Sequence, residues 1–203
     1  MDRRGSTGGD VAHSKTLVLG VGNTLLCDEG AGIHALELMR ARFHEHEFIE
    51  FLDGGTLSFS LAAWIETCDN LLVFDAAELH MSAGAVQVMT NEEMDHFLGF
   101  TKRSAHEVGL IDLMDIARLS EALPANRALV GVQPETFDWD TAPSPAVAAS
   151  LEDMVTRAAE LIEQWSPGTL QQQADYKSST RSRDTDSNRK TVESIKRGST
   201  GLV

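Results

Sequence analysis

Cysteine is nearly absent: Cys27 and Cys68 are the only two among 203 residues. Two thiols make neither a disulfide framework nor a four-thiolate zinc site, and a reducing, cytoplasmic setting is the expectation. No apolar run approaches the ~18 residues of a membrane span. The opening MDRRGSTGGDVAHSK lacks the apolar stretch of a secretory signal. Positive charge is scarce, with 17 Lys and Arg against 31 Asp and Glu and a net charge of -14. Much of it sits at the end: residues 166–203 hold seven Lys/Arg and four Asp/Glu, a balance of +3, so the rest carries -17. Such an acidic body argues against nucleic acid, whose phosphates need a basic surface. It suits a cation or a basic peptide, and it equally serves plain solubility.

What is present is a single domain's worth of chain with 42% hydrophobic residues. Residues 1–14 read as a loose polar arm. TLVLGVG (16–22) reads as a buried strand stopped by glycine. A helix over 29–43 follows, with Ile33, Leu36, Met39 and Phe43 at helical spacing. EFIEFLDGGT gives a second strand ending at Asp53, and LSFSLAAWIETC a second helix with Leu57, Leu61, Trp64 and Ile65 on one face. NLLVFDA is a third strand, and GAVQVMT a shorter one. SAHEVGLIDLMDIARLSEAL predicts a long third helix from near Ser104, and RALVGVQPE a last strand. Ser144-Pro145 open a final helix running to about Trp165. Strands apolar on both faces that alternate with helices predict an α/β domain: three layers, with a largely parallel twisted sheet between helices. The domain is expected over 15–165. The Ser-, Thr- and Arg-rich segment 166–203 cannot bury enough surface to offset its ordering entropy and is expected to be a disordered basic tail.

In open α/β sheets ligands bind beyond the carboxyl ends of the strands, and the unusual residues of this chain collect there. Glu29 follows strand one, Asp53 ends strand two, Asp75 ends strand three, His106 precedes the third helix, and Gln133 and Glu135 follow the last strand. Each has a plain alternative. Asp28 or Glu29 can be a first-turn acid favoured by the helix dipole, and Asp53 before two glycines can be turn chemistry. Asp75, directly after LLVF, must be solvated, paired or metal-bound, because a lone buried charge is costly. His106 can be a helix-start residue or a ligand, and a helix N-terminus favours the neutral imidazole that binds metals. Two carboxylates and one imidazole form a mixed oxygen–nitrogen set that suits zinc or nickel better than magnesium or calcium. Their spacings, 46 and 31 residues, match no local metal pattern. His44 and His46 in FHEHEF read as solvated. A dinucleotide loop is disfavoured, since Leu25 stands where the third glycine of G-x-G-x-x-G belongs and two acids would repel a pyrophosphate. No G-x-S-x-G is present, and neither cysteine has a histidine beside it in sequence.

LVLGVGNTLLCDEGAG, DGGT, LLVFDA, SAHEVGL and LVGVQPE, in this order, closely resemble the hydrogenase maturation endopeptidases over roughly residues 15–165. The resemblance implies a protease that removes a C-terminal extension from the large-subunit precursor of a nickel–iron hydrogenase once nickel is in place. It implies Glu29, Asp75 and His106 as the metal-binding and catalytic residues, with nickel supplied by the substrate. Asp53, Gly54 and Gly55 would shape the cleft for the substrate tail. The activity would be that of an aspartic-type or metal-dependent endopeptidase, and a monomer is expected. Two other readings stay open: a nickel-checking chaperone of the precursor that does not cleave, and a generic peptidase with a resident metal.

Overall fold

The computed structural model describes residues 14–43, 47–101 and 109–170. His44, His46, His106, most of the expected N-terminal arm and the tail from residue 171 lie outside them. Five strands form one sheet: β1 (Thr16–Gly20), β2 (Ile49–Asp53), β3 (Asn70–Ala76), β4 (Val86–Thr90) and β5 (Asn126–Val132). Their spatial order is β2-β1-β3-β5-β4, all parallel except β4, which runs antiparallel to β5. The helices are α1 (Ala31–Phe43), α2 (Ala62–Ile65), α3 (Glu92–Thr101), α4 (Leu110–Leu119), α5 (Pro145–Ala148) and α6 (Leu151–Trp165). None is long and apolar enough to cross a membrane among the described residues.

The period of two along each strand sorts the core into two layers. Val18, Leu72, Phe74, Val130 and Val132 face α1 and α6, meeting Leu36, Met39, Met154, Ala158 and Ile162. Leu17, Leu19, Leu71, Val73 and Leu129 face the other way, onto Ile65, Met94, Leu113 and Met114. The expected three-layer architecture is therefore observed. The path from β1 through α1 to β2 lies on one face, and the path from β2 through α2 to β3 lies on the other. The chain thus reverses its winding between β1 and β3, the crevice where such sheets bind ligands.

Several element expectations need correction. The second helix is only a 3-10 turn (Phe59–Leu61) followed by the single turn α2. Leu57 adopts a left-handed conformation (φ 68) and cannot belong to it. Leu61 and Ile65 are buried as expected, but Trp64 is exposed. The third helix starts at Leu110, not near Ser104. Gly109 is extended, and its N–H donates to Asp112 Oδ2 at 3.0 Å, which sets the helix start. Helix α3 is not expected from the sequence: its first turn is mostly acids, Gly99 interrupts its second half, and of its apolar residues Met94, Phe97, Leu98 and Phe100 the last is exposed. The final helix is broken at residues 149–150, though Ser144 caps α5 as expected, accepting from the Val147 N–H at 3.3 Å. The packed body also extends five residues past the expected boundary. Thr169 is buried, Leu170 packs on the core, and its N–H donates to Glu163 Oε2 at 3.2 Å.

Helix α1 docks directly on the strand ends. A Cβ at Gly32 would lie 2.3 Å from the carbonyl oxygens of both Phe74 and Val21. This close helix–strand approach is made at Gly32, inside the helix. Gly99, on exposed α3, has nothing within 4 Å of such a Cβ. Gly32→Ala should therefore destabilise by about 3 kcal/mol, whereas Gly99→Ala should stabilise by about 0.5–1 kcal/mol through helix propensity. Urea unfolding midpoints of the two variants test both signs; equal midpoints would contradict the close approach.

Candidate active site

The loop from β1 to α1 carries Glu29 in a 3-10 turn, Cys27–Gly30. Gly22 makes this turn possible: its φ is +134°, and a Cβ there would lie 1.8 Å from the Glu29 carbonyl oxygen. The glycine loop is thus built to let the Glu29 backbone close over the end of β1. Gly22 also donates to the Gly55 carbonyl at 2.8 Å, and Gly54 to the Gly20 carbonyl at 2.8 Å, so the DGGT loop is laced to the first.

Asp28 and Glu29 have opposite roles. Asp28 is fully buried. Its Oδ2 accepts from the backbone N–H of Glu135 (2.8 Å) and Thr136 (3.1 Å), and its Oδ1 from that of Ser144 (2.6 Å). Burial opposes its charge, but these backbone donors outweigh it and hold the carboxyl below its ordinary value. The first-turn acid anticipated from the sequence is instead a clamp on the segment after β5, 107 residues away.

Glu29 is partly buried, and its Oε2 is enclosed without a hydrogen-bond partner among the described residues. Asp75 stands in β3 opposite Gly131. Burial pushes its carboxyl up from 3.8 to about 7; the Ala76 N–H opposes this, and the negative charge of Glu29 adds to it. The fold therefore brings Glu29 and Asp75 within electrostatic reach of each other, across the β1–β3 crevice. Asp53 is exposed, with Oδ1 accepting from the Gly55 N–H at 2.8 Å, a local turn bond. Its loop borders the Glu29 loop through the Gly22–Gly55 bond. His106 lies outside the described residues, four positions before α4 begins. Gln133 is buried and braces the segment after Asp75: its Oε1 accepts from the Leu79 N–H at 2.8 Å and the Met81 N–H at 3.3 Å. His34, in the first turn of α1, also has a buried ring nitrogen, Nε2, without a partner among the described residues. Neither the Asp28 clamp nor the His34 orphan has a sequence signature, because both depend on contacts distant in the chain.

The thiols are poorly set for nucleophilic attack. Burial and the adjacent Asp28 push Cys27 up, and burial pushes Cys68 up to about 12. What remains is a pair of neighbouring carboxylates, one with an orphaned oxygen, at the crevice of an α/β sheet. Two carboxylates alone are hard oxygen donors, and the borderline class of cation expected from the sequence depends on the imidazole of His106, which lies outside the described residues. A closed set of three His, Cys, Asp or Glu side chains does not occur among the described residues.

Known proteins place this architecture. The hydrogenase maturation protease family model matches residues 33–161. The chain is 33% identical over 147 residues to the hydrogenase expression/formation protein HoxM of Azotobacter vinelandii, an alignment spanning 72% of this chain and 71% of that one. It is 33% identical over 138 residues to the hydrogenase 2 maturation protease of Escherichia coli K12, spanning 68% and 84% of the two chains. The solved hydrogenase maturating endopeptidase HybD from E. coli superposes with a TM-score of 0.68 at 33% identity, covering 74% of this chain and 93% of that one. The chain belongs to the hydrogenase maturation protease family, and is by that membership a peptide-bond hydrolase.

The carboxylate pair has a cost that pH reveals. With its folded value raised, Asp75 keeps its proton in the native state while the unfolded chain loses it. The native state then binds more protons between about pH 4 and 7, and stability falls through that window before levelling off. Asp28 acts oppositely: its contribution is present above the unfolded value and is lost as pH falls through the lowered folded one. Asp75→Asn should therefore be more stable than the wild type at pH 8, by on the order of 2–4 kcal/mol for a shift of this size. At pH 5 the gap should shrink. Metal-free urea unfolding at both pH values measures it, and an Asp75→Asn protein less stable than wild type at pH 8 would contradict the reading.

Proposed function

We propose that this chain removes a C-terminal extension from the large-subunit precursor of a nickel–iron hydrogenase after nickel has been inserted. Family membership supplies the reaction class, peptide hydrolysis. The observation that carries the nickel-dependent part is the enclosed, unpartnered Oε2 of Glu29 beside Asp75, whose carboxyl is driven to hold its proton. Unmet buried acceptors are expensive, and a cation between the two carboxylates would satisfy them. Glu29, Asp75 and His106 would meet a nickel ion that arrives on the substrate. When bound, that ion would polarise the neighbouring peptide carbonyl or a water.

The chain's own residues set the stage. The Gly22 turn holds Glu29 at the crevice, Gln133 braces the strand exit beyond Asp75, and the Asp53-Gly54-Gly55 loop forms the bordering wall for the substrate tail. A second reading, an aspartic-type route, draws on the raised carboxyl of Asp75. A group that exchanges its proton near pH 7 can act as general acid or base at working pH. The non-cleaving chaperone and the resident-metal peptidase are the alternatives to be separated by experiment.

Purified protein is incubated with nickel-loaded and nickel-free precursor, and the released peptide is weighed by mass spectrometry. A short peptide should appear only with the nickel-loaded precursor. Glu29→Ala, Asp75→Ala and His106→Ala should each slow its release by ~100-fold or more, the scale of lost acid–base or metal assistance. Equal cleavage of the nickel-free precursor would favour the resident metal. Stable binding without any released peptide would favour the chaperone.

A further inference from the structure

The exposed apolar side chains of this protein are not scattered. Eight large ones are exposed among the described residues, and five belong to the segments that follow the carboxyl ends of β1, β2, β3 and β5: Leu25, Phe59, Met81, Phe137 and Trp139. Trp139 is 82% exposed. This is the sheet edge that carries Glu29 and Asp75. Exposed apolar clusters cost solubility and mark binding surfaces when they gather in one place.

The two aromatic members that follow β5, Phe137 and Trp139, sit on a segment that is pinned in place. Asp28 fixes the segment after β5 through the N–H groups of Glu135, Thr136 and Ser144. Leu26 pairs in parallel with Asp140, and the Cys27 N–H donates to the Asp140 carbonyl at 2.7 Å. That pairing brings the preceding residues, Leu25 and Trp139, alongside each other. Two local turns tie down what remains: the Asp138 N–H donates to Thr136 Oγ1 at 3.2 Å, and the Ala142 N–H to Asp140 Oδ1 at 3.0 Å. A tryptophan displayed on a pinned loop loses little freedom on binding, which is how aromatic anchors gain their affinity.

We propose that Phe137, Trp139 and Leu25 form a docking rim for the polypeptide substrate, taking an apolar surface of the precursor bordered by Lys or Arg. This rests on the function proposed above. Three observations select that occupant. The rim adjoins the carboxylate pair, so a chain presenting a peptide bond to Glu29 and Asp75 must cover it. In the sequence ETFDWD the aromatics alternate with acids, and Glu135, Asp138 and Asp140 are exposed beside them, which calls for basic neighbours on the partner. A second copy of this chain, at -14, would bring the same acids against themselves.

The test uses the full chain and nickel-loaded precursor. Trp139→Ala and Phe137→Ala should each raise KM about tenfold or more, the range of an interface anchor, with kcat within about twofold and an unchanged urea midpoint. Leu119→Ala, at the exposed end of α4 that leads into the amino end of β5, is the control and should leave both constants alone. In a Trp64→Phe, Trp165→Phe background the emission of Trp139 should move to shorter wavelength when precursor is added. Wild type that cleaves alongside Trp139→Ala and Phe137→Ala variants of unchanged KM would overturn the rim while leaving the proposed function standing. Wild type that cannot cleave would overturn that function, and the rim with it. A Trp139 shift on concentrating the protein alone would assign the surface to self-association and also overturn the proposal.

Discussion

One buried carboxylate organises the edge of the sheet that carries Glu29 and Asp75. Asp28 is removed from water, and it is tolerable there only because three backbone N–H groups from the segment after β5 turn toward it. A buried charge satisfied in this way is costly to disturb, since removing either side leaves an unpaired group in the interior. The exchange fixes three things together. The 3-10 turn that carries Glu29 is held at the end of β1. The segment bearing Phe137 and Trp139 is drawn over to it. Ser144, whose N–H is the third donor, starts α5 and so begins the final helical segment that covers one face of the sheet.

Against that satisfied acid, the next residue is left wanting. Glu29 has an enclosed oxygen without a partner, and Asp75 responds to burial and to Glu29 by holding its proton. Adjacent residues in one turn thus divide into an anion that the fold satisfies and a carboxylate with an oxygen that no described residue satisfies. Functional sites are where such costs are tolerated. The fold bears it through Gly22 and Gly32, which let the loop and α1 approach the strand ends more closely than any side chain permits.

Most of this architecture was legible in the sequence. The four apolar strands that bear the site stop at glycine, aspartate or glutamine, and their alternation with helices gave the layered sheet and the edge at which Glu29, Asp53 and Asp75 gather. Helix lengths were less legible. The second and third were overread, because apolar spacing continues through Leu57 and through Gly109 although the backbone at both positions is not helical. Helix α3 is short, and its acidic first turn and Gly99 weaken a pattern that only Met94, Phe97 and Leu98 carry. The role of Asp28 could not be read at all: its partners are backbone groups, which leave no trace in side-chain identity, and they lie more than a hundred positions away. The orphaned His34 is hidden for the same kind of reason, since lacking a partner is a property of the packed state.

The proposed function turns on the carboxylate pair of Glu29 and Asp75 receiving a cation carried by the substrate. Its most direct measurement is the pH titration of the Asp75 side-chain carboxyl carbon by NMR in metal-free protein, repeated with nickel-loaded precursor bound to it. The account predicts a midpoint near 7 in the free protein and a marked fall once the cation arrives, because a neighbouring positive charge favours the ionised form. A midpoint at the ordinary aspartate value in the free protein, unmoved by the precursor, would contradict it.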